Sequence, residues 1–453
     1  MLKVTYRTSK KLTLDQEDGA WLYGKGRRVL MRLAPGAKAE ARLLEVLSTA
    51  WQSPEEALEK AGLDDFNLQA RGHFLIHQAL GAGLLDACYA WGERPLLYVF
   101  PAIKTPLPAW NGKGLSRFAW ARPEKTGLRL ASPLSSFVVS TAEPGLTGLV
   151  SALAGKNPAE PPKVQGFSEE EIDLVLKVLT GAGLLALLDD AEDKPPLAWW
   201  QWHDLMFHSR SLWRLSDYDP PDTLRFKDVF PCPRVVKTKS GRPCLELPPV
   251  DENCLALLDR PFGKVLSDRR TRRRPAKEPV GLGCLSALLH SAARLKSSKE
   301  LEQEGVVSFR PYPSAGARHP LELYLAANKV NGLEPGLYHY QPQKHSLSPL
   351  AGNHQGMEDL LAFNPLAPWD YDPPQAQIWI SARFGRTAWK YESVAYRLVQ
   401  MDLGCLYQTL YLVATALELK PCCLGAAEVD LFARATGLDA LEEPAVGLFV
   451  VSK

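Results

Sequence analysis

With 453 residues, 46% of them hydrophobic and 23% charged, the chain can bury large cores and is long enough for about three domains. Its 53 basic and 51 acidic residues leave a formal charge of +2, so no whole-molecule field favours nucleic acid and functional charge has to be local. No N-terminal run suits a signal peptide and no segment offers about eighteen uninterrupted apolar residues, so neither export nor a membrane span is expected and the cytoplasm is the expected location.

The first half carries an internal echo. The runs "HFLIHQALGAGLLDA" and "DLVLKVLTGAGLLALLDD", around Gly81 and Gly181, are apolar-periodic helices ending in Gly-Ala-Gly-Leu-Leu, a glycine stop ahead of a short strand. Upstream of each lies a shorter helix, "AEARLLEVLSTA" or "GLTGLVSALAG", and before those come strand-like runs, "AWLYGKGRRVLMRL" and "SSFVVS". Ser53 and Ser168, each followed by acids, mark helix starts. Strands, short helices and a closing strand are the order of a winged-helix unit, so two tandem winged-helix-like modules are expected, residues 1–95 and 96–190. Their candidate reading helices are thin in Lys and Arg or acidic, which argues against DNA and for peptide binding by strand addition. Residues 191–250 turn rich in Pro and Trp and read as a connecting segment with a short helix at "WWQWHDLMFHSR". His203 and His208 stand five apart, out of register for a helical metal pair, and the eight cysteines form no CxxC, so no metal site is expected.

From residue 251 to 453 helices and strands alternate, an α+β pattern. "CLSALLHSAARL" is an amphipathic helix, "PLELYLAAN" and "GLYHYQPQ" are strands about a turn, "QAQIWISARF" is an apolar strand, and "PAVGLFVVSK" closes the chain as another. Gly385 to Leu419 reads as one long helix, apolar around most of its circumference, which suggests burial against a second subunit. Lys390 and Tyr391 stand side by side near its start, where adjacent helical positions diverge by about 100° and would flank a substrate.

Three stretches of this domain carry chemistry. "SDRRTRRRPAK" interleaves Thr271 with Arg269, Arg270 and Arg273; an isolated arginine run is ordinarily a solvated loop, but guanidinium forks plus a hydroxyl suit a phosphate monoester. With no P-loop and no GxGxxG, that phosphate belongs to neither an NTP nor a Rossmann-bound dinucleotide. Pro313, Ser314, Ala315 and Gly316 form a turn of minimal bulk before a strand, which lets backbone groups approach a flat ring. Gly425, Ala426 and Ala427 form a second such turn after the long helix.

Arg-Arg-Thr-x-Arg, Pro-Ser-Ala-Gly-Ala-Arg-His-Pro, Gly-Leu-Tyr-His-Tyr, the Lys-Tyr pair and the closing "GLDALEEPAVG", in that order over residues 251–453, resemble the nitroreductase-fold flavoproteins. More narrowly they resemble the SagB-type dehydrogenases that oxidise azolines in thiazole/oxazole-modified peptides, including the stand-alone oxidases of cyanobactin pathways. "WWQWHDLMFHSRS" resembles the region preceding that domain, and the N-terminal modules resemble winged-helix elements that recognise precursor peptides. The resemblance implies one FMN per site at the interface of a homodimer, and a heterocyclised precursor peptide as partner. It also implies Arg269, Arg270, Thr271 and Arg273 on the phosphate and ribityl chain, and Pro313 to Gly316 against the isoalloxazine. Gly425 to Ala427 would lie near its reactive edge, and Lys390 with Tyr391 would be the pair used in azoline oxidation. The family usually carries Ser where Thr271 stands, and often a second glycine in the last turn. An NAD(P)H-dependent nitro- or quinone reductase is the alternative on the same fold, and a non-catalytic peptide-binding subunit the alternative of another class.

Overall fold

The structure, a computed structural model, describes all residues except 10–11, 18–19, 26–27, 35–36, 105, 126, 155–157, 159, 212–222, 238–242, 275–276, 351–353, 364–373 and 426. The chain forms two compact units, Met1–Pro220 and Pro221–Lys453.

In the first unit, side-chain caps fix where helices begin. Ser53 and Ser168 each accept from the third helical residue, Glu56 or Glu171, whose carboxylate returns to the cap's own N–H. The echo in the sequence is structural as well. Helices Phe66–Gly81 and Glu169–Gly181 both end by turning through a left-handed glycine, Gly83 or Gly183. Leu84 N–H then donates to the Ala79 carbonyl (2.9 Å) and Leu184 N–H to that of Leu179 (3.0 Å). The first copy runs on into the strand Leu85–Trp91, whereas after the second only a bridge between Leu115 and Leu185 forms among the described residues. There the Glu192 carboxylate takes the N–H groups of Leu187 and Arg117, and the chain enters a 3-10 turn instead of extending a ladder.

A six-stranded sheet spans both halves of this unit, in the order Leu2–Thr8, Leu85–Trp91, Arg94–Phe100, Val138–Thr141, Gly127–Ala131, Trp120–Glu124. The expected module boundary at 95/96 falls inside the strand Arg94–Phe100, and one core joins Leu43 and Leu97 to Leu149 and Leu176.

The second unit is built on a seven-stranded sheet. Its order is Leu245–Glu246, Ser346–Pro349, Gly336–Gln341, Leu321–Ala327, Ala376–Ala382, Ala445–Ser452, Lys420–Leu424. The two middle strands read as nearly unbroken apolar runs because both faces are covered. Leu321, Leu323, Leu325, Ile378 and Ile380 point to one core, shared with Val399, Leu406 and Leu410 of the helix Ala395–Ala416. Tyr324, Ala326 and Trp379 point to the other, shared with Leu360 and Phe432. Residues 221–250 belong to this unit, and no helix among the described residues is long and apolar enough to cross a membrane.

The single helix expected over Gly385–Leu419 is two. Phe384–Ala388 and Ala395–Ala416 are separated by a non-helical link, Trp389 to Val394, in which Ser393 is left-handed at φ +64°. Tertiary bonds replace the helical ones there: Leu224 N–H donates to the Lys390 carbonyl (3.1 Å) and the Trp389 indole to the Phe230 carbonyl (2.9 Å). Glu392 accepts from Thr223 (3.0 Å) and Arg225 (3.1 Å).

Candidate active site

The link changes where the Lys-Tyr pair points. Instead of diverging as they would on one helix, the two side chains converge on the small-residue turn. A Cβ added to Gly316 would lie 2.7 Å from the Tyr391 hydroxyl and 3.4 Å from Lys390 Cδ, and the Lys390 Nζ stands 5.5 Å from the centre of the Tyr391 ring. Gly316 is itself left-handed, φ +56°, so both its backbone and its missing side chain are needed for this approach. Lys390 is buried, and its ammonium donates to Glu304 at 2.6 Å.

The turn is fixed from behind by Asp402 of the long helix, an acid that sequence reading passed over. Ser314 Oγ donates to Oδ2 (2.5 Å) and Ala315 N–H to Oδ1 (3.1 Å), while His319 N–H donates to Ser314 Oγ (2.9 Å). Burial pushes the Asp402 carboxyl up, and these donors oppose the rise. The signal was available: Asp402 is the sole carboxylate in "AYRLVQMDLGCLYQTLYLVATA", and a lone acid in an apolar helix needs dedicated partners.

Two buried arginines anchor the rest. Arg318 donates to the carbonyls of Arg386 (3.0 Å) and Glu304 (3.0 Å) and to Cys232 Sγ (2.9 Å). Arg386, almost inaccessible, pairs with Glu322 at 2.7 Å and donates to the carbonyls of Arg234 (2.8 Å) and His319 (2.9 Å). Burial raises the Glu322 carboxyl, but the charges of Arg386, His339 and Arg310 and the His339 hydrogen bond together outweigh it and hold the group well below the usual carboxylate range. Burial, with Arg310 and Arg386 adding to it, lowers the His319 imidazole to about 3.

The arginine loop and the last turn form a second group. Thr271 Oγ1 lies 3.1 Å from the Tyr411 hydroxyl, the Arg269 guanidinium sits 5.6 Å from the Tyr411 ring centre, and Arg272 N–H donates to the Pro421 carbonyl (2.8 Å). The same hydroxyl accepts from Cys423 N–H (2.9 Å), on the strand Lys420–Leu424 that leads into Gly425. Arg270 and Arg273 are exposed, Thr271 is half-buried, Gly425 is exposed and Ala427 half-buried; Ala426 lies outside the described residues. This donor set, guanidinium groups around a hydroxyl, fits a phosphate monoester.

The two groups meet through the long helix. Asp402 holds the small-residue turn and Tyr411 the arginine loop, nine residues apart. That spacing is about 13 Å of helix rise.

A sequence profile of the nitroreductase family matches residues 266–452, and one described as cyanobactin oxidase ThcOx matches residues 114–215. A protein of Methanocaldococcus jannaschii named as a nitroreductase is 32% identical over 187 residues, 40% of this chain and 83% of that one. The trifolitoxin-processing protein TfxB of Rhizobium leguminosarum bv. trifolii is 28% identical over 182 residues, 40% of this chain and 49% of TfxB. The microcin B17-processing protein McbC of Escherichia coli is 31% identical over 119 residues, 24% of this chain and 42% of McbC. The matches thus span about half, or less, of the two peptide-processing relatives. The fold, the ordered motifs and the extent of the first match agree: the chain belongs to the nitroreductase family.

Proposed function

We propose that the chain is an FMN-dependent azoline oxidase that converts thiazoline or oxazoline rings of a ribosomally made peptide into thiazoles or oxazoles. The observation that carries this reading is the convergence of Lys390 and Tyr391 on the turn at Gly316. The likeness to two peptide-processing proteins and to a cyanobactin oxidase supports the substrate class. Bound FMN would supply the hydride acceptor that removal of two hydrogens from the ring requires.

The chain's own residues do the rest. Arg269, Arg270, Thr271 and Arg273 would hold the phosphate end, and Gly425 to Ala427 would offer backbone groups at the other side. Pro313 to Gly316 would bring backbone against the flat ring, held to that shape by Asp402. Lys390 would receive the proton from the carbon alpha to the peptide carbonyl, and Tyr391 would orient the ring through its hydroxyl. The stripe Met401, Gly404 and Gln408 on the long helix faces outward from the single chain, and we assign it to contact with a second copy. The winged-helix-like modules, a leader peptide for them and a cytoplasmic setting belong to the same proposal.

Purified protein incubated with a heterocyclised peptide should remove two hydrogens per ring, read by mass spectrometry. Lys390→Ala and Tyr391→Phe should keep flavin absorbance and lose about 100-fold or more in turnover, the usual contribution of a positioned acid or base. Rapid flavin reduction by NADH with none by the peptide would favour a nitro- or quinone reductase instead. A protein that binds the peptide without flavin or turnover would be a binding subunit.

A further inference from the structure

The ammonium of Lys390 is already engaged. Glu304 Oε2 accepts from it at 2.6 Å, with the two side chains 10% and 27% exposed, so this is not a solvated surface pair. The carboxylate is delivered deliberately. Glu304 sits in the turn between the strands Ser297–Leu301 and Gly305–Phe309, and its own carbonyl is held by the buried Arg318 guanidinium (3.0 Å) and by Cys232 Sγ (3.5 Å). The other charges nearby are spent: Arg225 on Glu392 and Arg386 on Glu322. On the link itself the neighbours of Lys390 are the Tyr391 ring and Glu392. Among the described residues Glu304 is the sole acid in hydrogen-bond contact with Nζ.

An ammonium alone has no vacant proton site, whereas an ammonium–carboxylate pair has one, on the carboxylate. We propose that Glu304 is the positioning residue of this site and that Glu304 and Lys390 act as one base. This rests on Lys390 facing the substrate, as read above. The bridging Nζ–H bond breaks and an O–H bond forms at Oε2, leaving an uncharged amine. Its lone pair takes the proton from the ring carbon as that C–H bond breaks. The electron pair left on carbon becomes the new ring double bond as the neighbouring carbon loses hydride, for which bound oxidised flavin would be the acceptor. The proton on Glu304 then leaves to water from its exposed side. The net result is one proton to solvent and a two-electron oxidation of the ring.

Glu304→Gln tests this, because the amide still accepts from the ammonium but takes up no proton. Turnover of heterocyclised peptide by the flavin-loaded protein should fall at least about 10-fold at neutral pH. Flavin absorbance should stay with the protein through gel filtration, because Glu304 contacts Lys390 and not the proposed phosphate-binding groups. KM should stay within about twofold, since the loss lies in the chemical step. Glu304→Asp, which keeps a carboxylate, should recover most of the turnover that Glu304→Gln loses. A Glu304→Gln protein with wild-type turnover, or a Glu304→Asp protein as slow as Glu304→Gln, would overturn the pair. If Lys390→Ala is inactive in the same assay, that failure is confined to Glu304; if Lys390→Ala is active, the reading of Lys390 itself falls and the pair with it.

Discussion

Replacing Gly316 by alanine would set a methyl 2.7 Å from the Tyr391 hydroxyl on a backbone at φ +56°. The left-handed conformation alone costs an L-residue about 1–2 kcal/mol, and relieving the contact has to displace Tyr391. The urea midpoint should therefore drop and turnover should fall further than stability does. His319 makes a prediction of a different kind. Its folded value, about 3, lies below the ordinary imidazole value, so between the two the unfolded chain binds a proton that the folded chain does not. Stability is full above the ordinary value and declines as pH falls toward the folded one, by about 1.4 kcal/mol per pH unit inside that window. Urea unfolding at pH 7 and pH 5 should show the decline, and His319→Gln should flatten it. The small-residue turn was legible because Pro, Ser, Ala and Gly in succession leave little else to form. The acid that fixes it, Asp402, was not, since it lies 88 residues from Ser314 in sequence.

At the scale of elements, the helix Ala395–Ala416 joins the two halves of the site. Tyr411 spends one hydroxyl on both the arginine loop and the strand before Gly425. Tyr411→Phe should cost only about 1–3 kcal/mol of stability for the unpaired Thr271 and Cys423 groups. Flavin retention through gel filtration should fall more visibly, because the loop loses its register against the last turn. Sequence periodicity placed the helix Leu282–Ala293 and four of the seven strands of the larger sheet, Leu321–Ala327, Gly336–Gln341, Ala376–Ala382 and Ala445–Ser452, and the caps at Ser53 and Ser168 closed as their spacing implied. It ran the two helices around Lys390 together because apolar residues continue in phase across the break. Nothing local in "WKYESV" announces that Leu224, Phe230 and Arg225 will take over its hydrogen bonds.

For the molecule as a whole, the exposed apolar residues of the second unit are informative. Met401 is 58% exposed on the long helix, and Leu255, Phe262 and Leu266 are 49%, 66% and 45% exposed on the short helices packed against it. If this face meets a second copy, Met401→Glu should convert a dimer to monomers in sedimentation and release flavin with it. The echo of glycine stops was visible at the level of whole units, but its copies do not close separate sheets, because strand pairing between Arg94–Phe100 and Val138–Thr141 ties the halves together.

The segment from Thr223 to Lys237 bonds to Arg310, Arg318, Arg386, Trp389, Lys390 and Glu392, yet it lies upstream of residues 266–452, the stretch that matches the family profile. A minimal domain cut at the start of that match would keep every motif and still leave Glu392 stripped of both partners and the Lys390 carbonyl without its donor. For dissecting or transplanting this catalyst, the smallest meaningful fragment begins before Thr223, some forty residues ahead of where the nitroreductase profile match does.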